Sequence, residues 1–280
     1  MDTLRTSFGA AAVLMALLGC GRPERAAPAT AGDVSRAPGA DASPPAAAPA
    51  HAVSPAVQAA LAARGRSEAD RALDAGRRSG ELLSFFGIAP GMRVAELGAG
   101  GGYTAELLAR VVGARGRVYA QNSRVLLERF AEKPFSERLK KPSLSNVARV
   151  EREFDDPLPP DAKELDAVLL VLFYHDTVWL GTDRAAMNRA IFTALKPGGV
   201  YGVVDHSARS GDGVSVAQSL HRIEEGVVRS EIERAGFVLD AESSLLREPG
   251  DARDWNASPS AAGERRGTSD RFVLRYRKPR

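Results

Sequence analysis

Cysteine is almost missing: among 280 residues only Cys20 carries a thiol. No intramolecular disulfide can form, so an oxidising compartment is neither required nor excluded. A surplus of one charge sign is missing too. The net charge is +3, from 38 basic and 35 acidic residues that lie interspersed, and this gives no indication of a dedicated nucleic-acid surface. No self-similarity recurs at roughly 20 to 50 residues, which argues against a repeat array. The apolar stretch nearest the start, Ala10 to Leu18, is too short to span a bilayer.

What is present divides into three parts. Residues 1–19 have an early Arg5, the apolar stretch and a small Gly19 before Cys20, the layout of a secretory signal. The ending Leu17-Leu18-Gly19-Cys20 resembles a bacterial lipoprotein signal. That resemblance implies a lipidated Cys20, membrane contact only through that anchor, and an exported domain facing the periplasm, or a cytoplasmic one if the signal is not used. From Gly21 to Ala56, Ala and Pro supply 20 of 36 positions, too little varied apolar surface to offset chain entropy. Residues 20–56 therefore read as a flexible tether, and 57–280 as one domain.

In that domain, apolar strands alternate with helices. A leading helical stretch from Val57 has expected breaks at Gly65 and Gly80. Strands are expected at Val94–Leu97, Arg117–Ala120, Ala148–Arg152, Leu165–Phe173 and Val200–Val204, with closing strands at Phe237–Leu246 and Arg271–Tyr276. Helices are expected at Tyr103–Val112, Arg124–Glu132, from the Thr182-Asp183 cap to Leu195, and at Glu224–Ala235. Lys133 to Asn146 reads as an exposed insertion and Glu248 to Ser269 as a long loop. Leu165–Phe173 is apolar at nearly every residue, as a strand covered on both faces must be. The alternation predicts an α/β, doubly wound, mostly parallel sheet.

The first strand runs into a glycine turn, VAELGAGGGYTAELLAR at 94–110. Glycines there let a ligand approach the backbone, and the next helix offers unpaired N–H groups. The dinucleotide spacing G-x-G-x-x-G is not met, since Tyr103 and Thr104 stand where its third glycine belongs. Glu96 suits a cationic ligand better than a pyrophosphate. Glu96-Leu97-Gly98-Ala99-Gly100-Gly101-Gly102 resembles the first motif of class I S-adenosylmethionine-dependent methyltransferases, and Leu195-Lys196-Pro197-Gly198-Gly199 resembles the turn before their fifth strand. YAQN (119–122), FYHD (173–176), VVDHSA (203–208), HRIEE (221–225) and TSDRF (268–272) resemble a bacterial group described as predicted methyltransferases. The resemblance implies a seven-stranded Rossmann-like sheet with an antiparallel last strand, and S-adenosylmethionine as cofactor. It places Glu96, Gly98, Ala99, Gly100, Gly102, Tyr103, Thr104, Gln121, Asn122, Asp155 and Asp156 around that cofactor. The family usually ends its second strand with an acid that binds both ribose hydroxyls; here Gln121-Asn122 stand there, and the Asn oxygen can accept only part of that load. Asp155 and Asp156 read equally as adenine partners or as solvated loop acids.

A polar group, Tyr174, His175, Asp176, Asp205 and His206, ends the fourth and fifth strands, which are neighbours in this fold, and His221 follows a flexible loop. Methyl transfer needs positioning, plus a base when the acceptor is a hydroxyl or a protonated amine. His175 with Asp176 or Asp205 is the leading candidate for that base, followed by His206 and His221. The expected activity is methyl transfer to an oxygen or nitrogen of a small molecule. The alternatives are an inactive tethered ligand-binding protein on the same fold, or a His/Asp metal-dependent enzyme using zinc or iron. No tight ligand motif is present, so no residue is assigned to a metal. A nicotinamide oxidoreductase fits the glycine spacing worst. Arg71, Asp74, Arg77 and Arg78 read either as part of a substrate wall or as a salt-bridged surface.

Overall fold

A computed structural model describes residues 52–280. Cys20, the expected signal and nearly all of the expected tether lie outside the described residues. No described helix is long and apolar enough to cross a membrane. Folded structure begins slightly earlier than expected: α1 (Pro55–Ala62) is capped by the Ser54 hydroxyl, has Pro55 in its first turn and packs Val57 into the core. Two further helices follow, α2 (Glu68–Arg77) and α3 (Ser79–Phe85). The expected break at Gly80 falls instead at Arg78, which is left-handed with φ 45°. Gly80 lies inside α3, where a Cβ would come within 2.9 Å of Leu61.

Strand β1 (Arg93–Leu97) leads through the glycine turn into α4 (Tyr103–Val112), and β2 (Arg117–Asn122) follows. The next helix departs from expectation. A short α5 (Arg124–Leu126) passes through a π-helical turn, Leu127–Ala131, into α6 (Glu132–Leu139), so the supposed exposed insertion is largely helical. Pro134, which has no N–H to give to the helical ladder, lies just past the π-helical turn. Phe135 is fully buried, and Arg138 donates to Gly101 O (2.6 Å) and pairs with Asp70 and Glu106. Lys141 joins this network at Glu106 (2.7 Å), while Lys133, Glu137 and Lys140 remain exposed as expected.

The remaining elements are β3 (Val147–Glu151), β4 (Leu165–Val171), α7 (Asp176–Trp179), α8 (Arg184–Ala194), β5 (Leu195–His206), α9 (Ala217–Leu220), α10 (Glu225–Arg234), β6 (Val238–Ser243) and β7 (Arg271–Arg277). Asp183 caps α8 as its sequence suggests, accepting from Ala186 N–H. The strand order is β3-β2-β1-β4-β5-β7-β6, parallel from β3 to β5, with β7 antiparallel to both neighbours. Side chains of β4 alternate between two cores. Ala167 and Leu169 meet α1, α3 and α4, while Val168 and Leu170 meet α8 and α10, the signature of a central strand covered on both faces. Lys196 to Gly199 forms an irregularity within β5 instead of a turn before it: the pairing jumps from Leu165↔Leu195 to Ala167↔Val200.

The loop from Glu248 to Ser269 is pinned from beneath. Arg222, fully buried, pairs with Asp251 (2.8 Å), donates to the carbonyls of Ser207 and Trp255 (3.1 Å each) and lies over the Trp255 ring. Asp251 also accepts from Asp270 N–H (2.7 Å) and the Trp255 indole (2.8 Å). Breaking a buried pair leaves a charge without compensation. Arg222→Met should therefore destabilise the protein by about 3 to 5 kcal/mol in urea unfolding and open the loop to proteolysis. A loss below about 1 kcal/mol would show that the pair does not pin the loop.

Candidate active site

The glycine turn is held from β2. Gly98 N–H donates to Gln121 Oε1 (3.0 Å), Ala99 N–H to the Gln121 carbonyl (2.9 Å) and Gly100 N–H to Asn122 Oδ1 (2.7 Å), while Asn122 Nδ2 donates back to the Gly100 carbonyl (3.2 Å). Gln121 Nε2 carries the link onward to the Arg152 carbonyl at the end of β3 (2.6 Å). These N–H groups therefore point into the protein and do not form a phosphate cradle, which disfavours a pyrophosphate ligand. The amides of Gln121 and Asn122, both fully buried, brace the turn. Asn122 spends one acceptor position and one N–H on Gly100, which leaves one of each on its amide.

Two of the glycines are required by close approach. Gly98 (φ 66°) faces the Phe173 ring, which a Cβ would meet at 2.6 Å, and Gly102 (φ 81°) faces Arg138 and Phe135 at 2.9 and 3.0 Å. Phe173 stacks on Phe154 with centroids 4.9 Å apart, so an aromatic pair from the ends of β3 and β4 lies against the turn. Sequence reasoning missed both as site residues; the only signal was an aromatic just past each strand. Asp155 and Asp156 are exposed. Asp155 accepts from Asp183 N–H (3.0 Å) and Asp156 pairs with Arg152, so both serve loop structure here.

Glu96 is buried at the end of β1 and accepts from the Thr104 hydroxyl and the Ala105 N–H at the start of α4. Its Oε2 has no hydrogen-bond partner among the described residues. Burial pushes Glu96 up to about 8, against the pull of these hydrogen bonds and of Arg77. Arg77 lies over the Tyr103 ring at 4.6 Å. The Tyr103 hydroxyl turns to α2 and α3, meeting Asp74 (2.6 Å) and Ser79 (2.7 Å). Asp74 in turn is gripped by Arg66 through two 2.6 Å contacts. The charges of α2 are thus tied to other elements and do not form pairs along the helix: Arg71 donates to the carbonyls of Leu61 and Ala63. An orphaned buried carboxylate oxygen beside an arginine matches the ammonium and carboxylate of an amino-acid moiety, so the residues present fit the methionine end of S-adenosylmethionine.

At the carboxyl edge of β4 and β5, the fully buried Asp205 organises a second group. One of its oxygens accepts from His175 N–H (2.7 Å), and the other lies 2.7 Å from His175 Nδ1 and accepts from His206 N–H (2.8 Å). His175 Nε2 lies 3.1 Å from His221 Nδ1 and 3.3 Å from Asp176 Oδ1; His221 Nδ1 lies 3.4 Å from the same oxygen. The Trp179 indole donates to that oxygen as well (2.8 Å). Two left-handed residues flank the group, Leu172 (φ 57°) after β4 and His221 itself (φ 50°) after α9. Such strain in a bulky residue is held in place only by its surroundings and concentrates at functional sites.

Burial disfavours the His175 imidazolium, yet Asp205 and Asp176 outweigh it and push His175 up to about 10. The two carboxylates thus favour a proton on His175, the leading candidate for the base. Burial would raise Asp176, but His175, His221 and Trp179 hold it well below the carboxylate range. His206 is pushed well below its ordinary value by burial and by the His175 charge; its Nδ1 sits 2.7 Å from Ser269 Oγ. Tyr174 is turned away. Its hydroxyl donates to Glu231 (2.8 Å) and accepts from Asn188 (2.9 Å) in the core under α8 and α10, so it cannot serve the cluster.

Residues 69–151 match the family model for protein-L-isoaspartate(D-aspartate) O-methyltransferase. No curated protein matches the sequence. Among solved structures, a S-adenosylmethionine-dependent methyltransferase from Aquifex aeolicus is 17% identical with a TM-score of 0.53, over 75% of this chain and 94% of its own. A candidate sarcosine dimethylglycine methyltransferase from Galdieria sulphuraria is 19% identical with a TM-score of 0.54, over 76% and 91%. The 4+2 cyclase SpnF is 19% identical with a TM-score of 0.51, over 73% and 82%. These likenesses show the Rossmann-like methyltransferase fold. The family match and the fold together support a S-adenosylmethionine-dependent methyltransferase with S-adenosylmethionine as its cofactor.

Glu96 carries a pH signature. Its native value, about 8, lies above the roughly 4.3 of an unfolded glutamate, so the native state binds more protons between them and this group's stabilisation is lost as pH rises through that window. Glu96→Gln should remove this slope. In thermal melts the variant should gain on the parent from about pH 5 to about pH 8.5, becoming the more stable at the upper end. Parallel Tm-versus-pH curves would contradict the buried-acid assignment.

Proposed function

We propose that the chain methylates an oxygen or nitrogen of a small-molecule acceptor, with Glu96 and Arg77 holding the amino-acid end of S-adenosylmethionine and the His175, Asp176 and His221 group receiving the acceptor. The observation that carries this reading is the unpartnered Oε2 of Glu96, a buried acceptor in need of a donor. The bound cofactor supplies an activated methyl on a sulfonium. The chain supplies position: Glu96 fixes the ammonium, the braced glycine turn keeps the backbone close, and Phe173 with Phe154 covers the turn. His221 presents the accessible side of the polar group, its side chain 26% exposed against 3% for His175.

The match to the isoaspartate family spans α2 to β3 and stops before β4 and β5. It supports the cofactor half and is silent on the acceptor half, so a protein acceptor does not follow from it. The lipoprotein-type start, with a lipid on Cys20 and a domain facing the periplasm, is also part of the proposal and rests on residues 1–20 alone.

Calorimetry with S-adenosylmethionine and S-adenosylhomocysteine tests the cofactor reading. Glu96→Gln should weaken binding by about tenfold to a hundredfold, the worth of a hydrogen bond to a charged group. His221→Ala should leave that affinity within about twofold while lowering turnover of an accepted substrate. Absence of binding by either ligand at millimolar concentration would remove the enzyme reading and leave a tethered binding protein. Labelled palmitate still incorporated after Cys20→Ser would remove the anchor.

A further inference from the structure

The group at the β4 and β5 edge has a shape that hydrogen bonding alone does not account for. His175 Nε2, His221 Nδ1 and Asp176 Oδ1 form a nearly equilateral triangle with sides of 3.1, 3.3 and 3.4 Å. A hydrogen bond aligns two atoms along one edge; here three donor or acceptor atoms converge on a common point, and Asp176 Oδ1 already accepts from Trp179. No placement of hydrogens satisfies all three edges. If both nitrogens carry protons they oppose each other across 3.1 Å, and if only one does, a single hydrogen is left to serve two edges.

The triangle does match the face of a coordination polyhedron. For ligands about 2.1 Å from an ion, as imidazole and carboxylate are from zinc, neighbouring ligand atoms lie about 3.0 Å apart in octahedral and about 3.4 Å apart in tetrahedral geometry. The observed sides fall between these limits. We propose that His175 Nε2, His221 Nδ1 and Asp176 Oδ1 form one face of a site for a first-row divalent metal, zinc or iron(II).

Each ligand is oriented by a second contact, as metal ligands characteristically are. Asp205 sits 2.7 Å from His175 Nδ1, which holds the proton on that nitrogen, so that an ion entering the triangle displaces the proton of Nε2 and not that of Nδ1. Trp179 fixes Asp176. His221 is held left-handed at the end of α9, with Arg222 and Ile223 beyond it anchored to Ser207, Asp251 and the His206 carbonyl. Two histidines and one carboxylate on one face leave the opposite positions open, as in sites where a metal binds substrate or water. This proposal departs from the reading from sequence, which assigns no residue to a metal. Resting on the methyl-transfer reading, the open face is where the oxygen or nitrogen of an acceptor would bind. The metal site itself stands without it.

The full chain, stripped with a chelator and dialysed, is titrated with Zn²⁺ by calorimetry, and bound metal is counted by elemental analysis. One ion per chain is expected, with Kd below about 1 µM. His221→Ala and Asp176→Asn should each weaken binding at least tenfold, on the order of the change seen when a ligand or its support is removed, while the circular dichroism spectrum stays that of the parent. Asp205→Asn should weaken binding without abolishing it, and His51→Ala should change nothing. Co²⁺ in place of zinc should give visible absorption that His221→Ala loses. No bound ion at about 0.1 mM free Zn²⁺, or an affinity that survives both His221→Ala and Asp176→Asn, would overturn the site. Because metal content is the readout, failure of cofactor binding leaves this result untouched.

Discussion

The Asp205 carboxylate is the contact on which the catalytic edge depends. It is fully buried at the end of β5 and binds the backbone N–H of His175, the His175 ring and the backbone N–H of His206. A charge in such a place is tolerable only when its hydrogen-bonding capacity is met, and those three contacts come from β5 and the segment just beyond β4. Asp205 therefore fixes where the chain turns after β4, which ring nitrogen of His175 faces inward, and where α7 begins. The left-handed Leu172 is strain that this anchoring offsets.

The glycine turn is organised on a different principle. Its N–H groups are satisfied by the side-chain amides of Gln121 and Asn122 and by one backbone carbonyl of β2, which makes the turn rigid without a ligand. In the resembled family an acid ends β2; here an amide stands there, and its N–H lets it donate to Gly100 as well as accept from it, which an ionised acid cannot do. What the turn still offers is Glu96, with one oxygen unused. The Asn122 amide, with one lone pair and one N–H left over from its bonds to Gly100, is the other polar group at this end of β2.

Much of the fold was legible because its signals are periodic. The unbroken apolar run of β4, the Asp183 cap of α8 and the glycine spacing each state a local geometry that tertiary context did not override. Legibility failed where one residue decides. Phe135 lies in a stretch so charged that it reads as surface, yet it is buried and its charged neighbour Arg138 pairs inward with Asp70 and Glu106. Tyr174 stands beside His175 in sequence, but β4 ends at Val171 and left-handed Leu172 cancels strand alternation, so the two side chains part company. The convergence of His175, Asp176 and His221 could be expected from strand ends. Their mutual distances could not, because His221 is placed by α9 and by the buried Arg222 pin.

The two halves of the site are built from different elements around one sheet. Glu96, the amide braces and Arg138 belong to β1, β2, α2, α4 and α6, whereas Asp205, His175, Asp176 and His221 belong to β4, β5, α7 and α9. The family match covers only the first half. The halves meet along the β1–β4 pairing, from Val94↔Ala167 to Leu97↔Leu170, and where the Phe173 ring lies on Gly98, two residues from His175. At φ 66°, and with a Cβ that would meet the Phe173 ring at 2.6 Å, position 98 needs glycine for packing alone, so the seam between the halves is set by the fold itself.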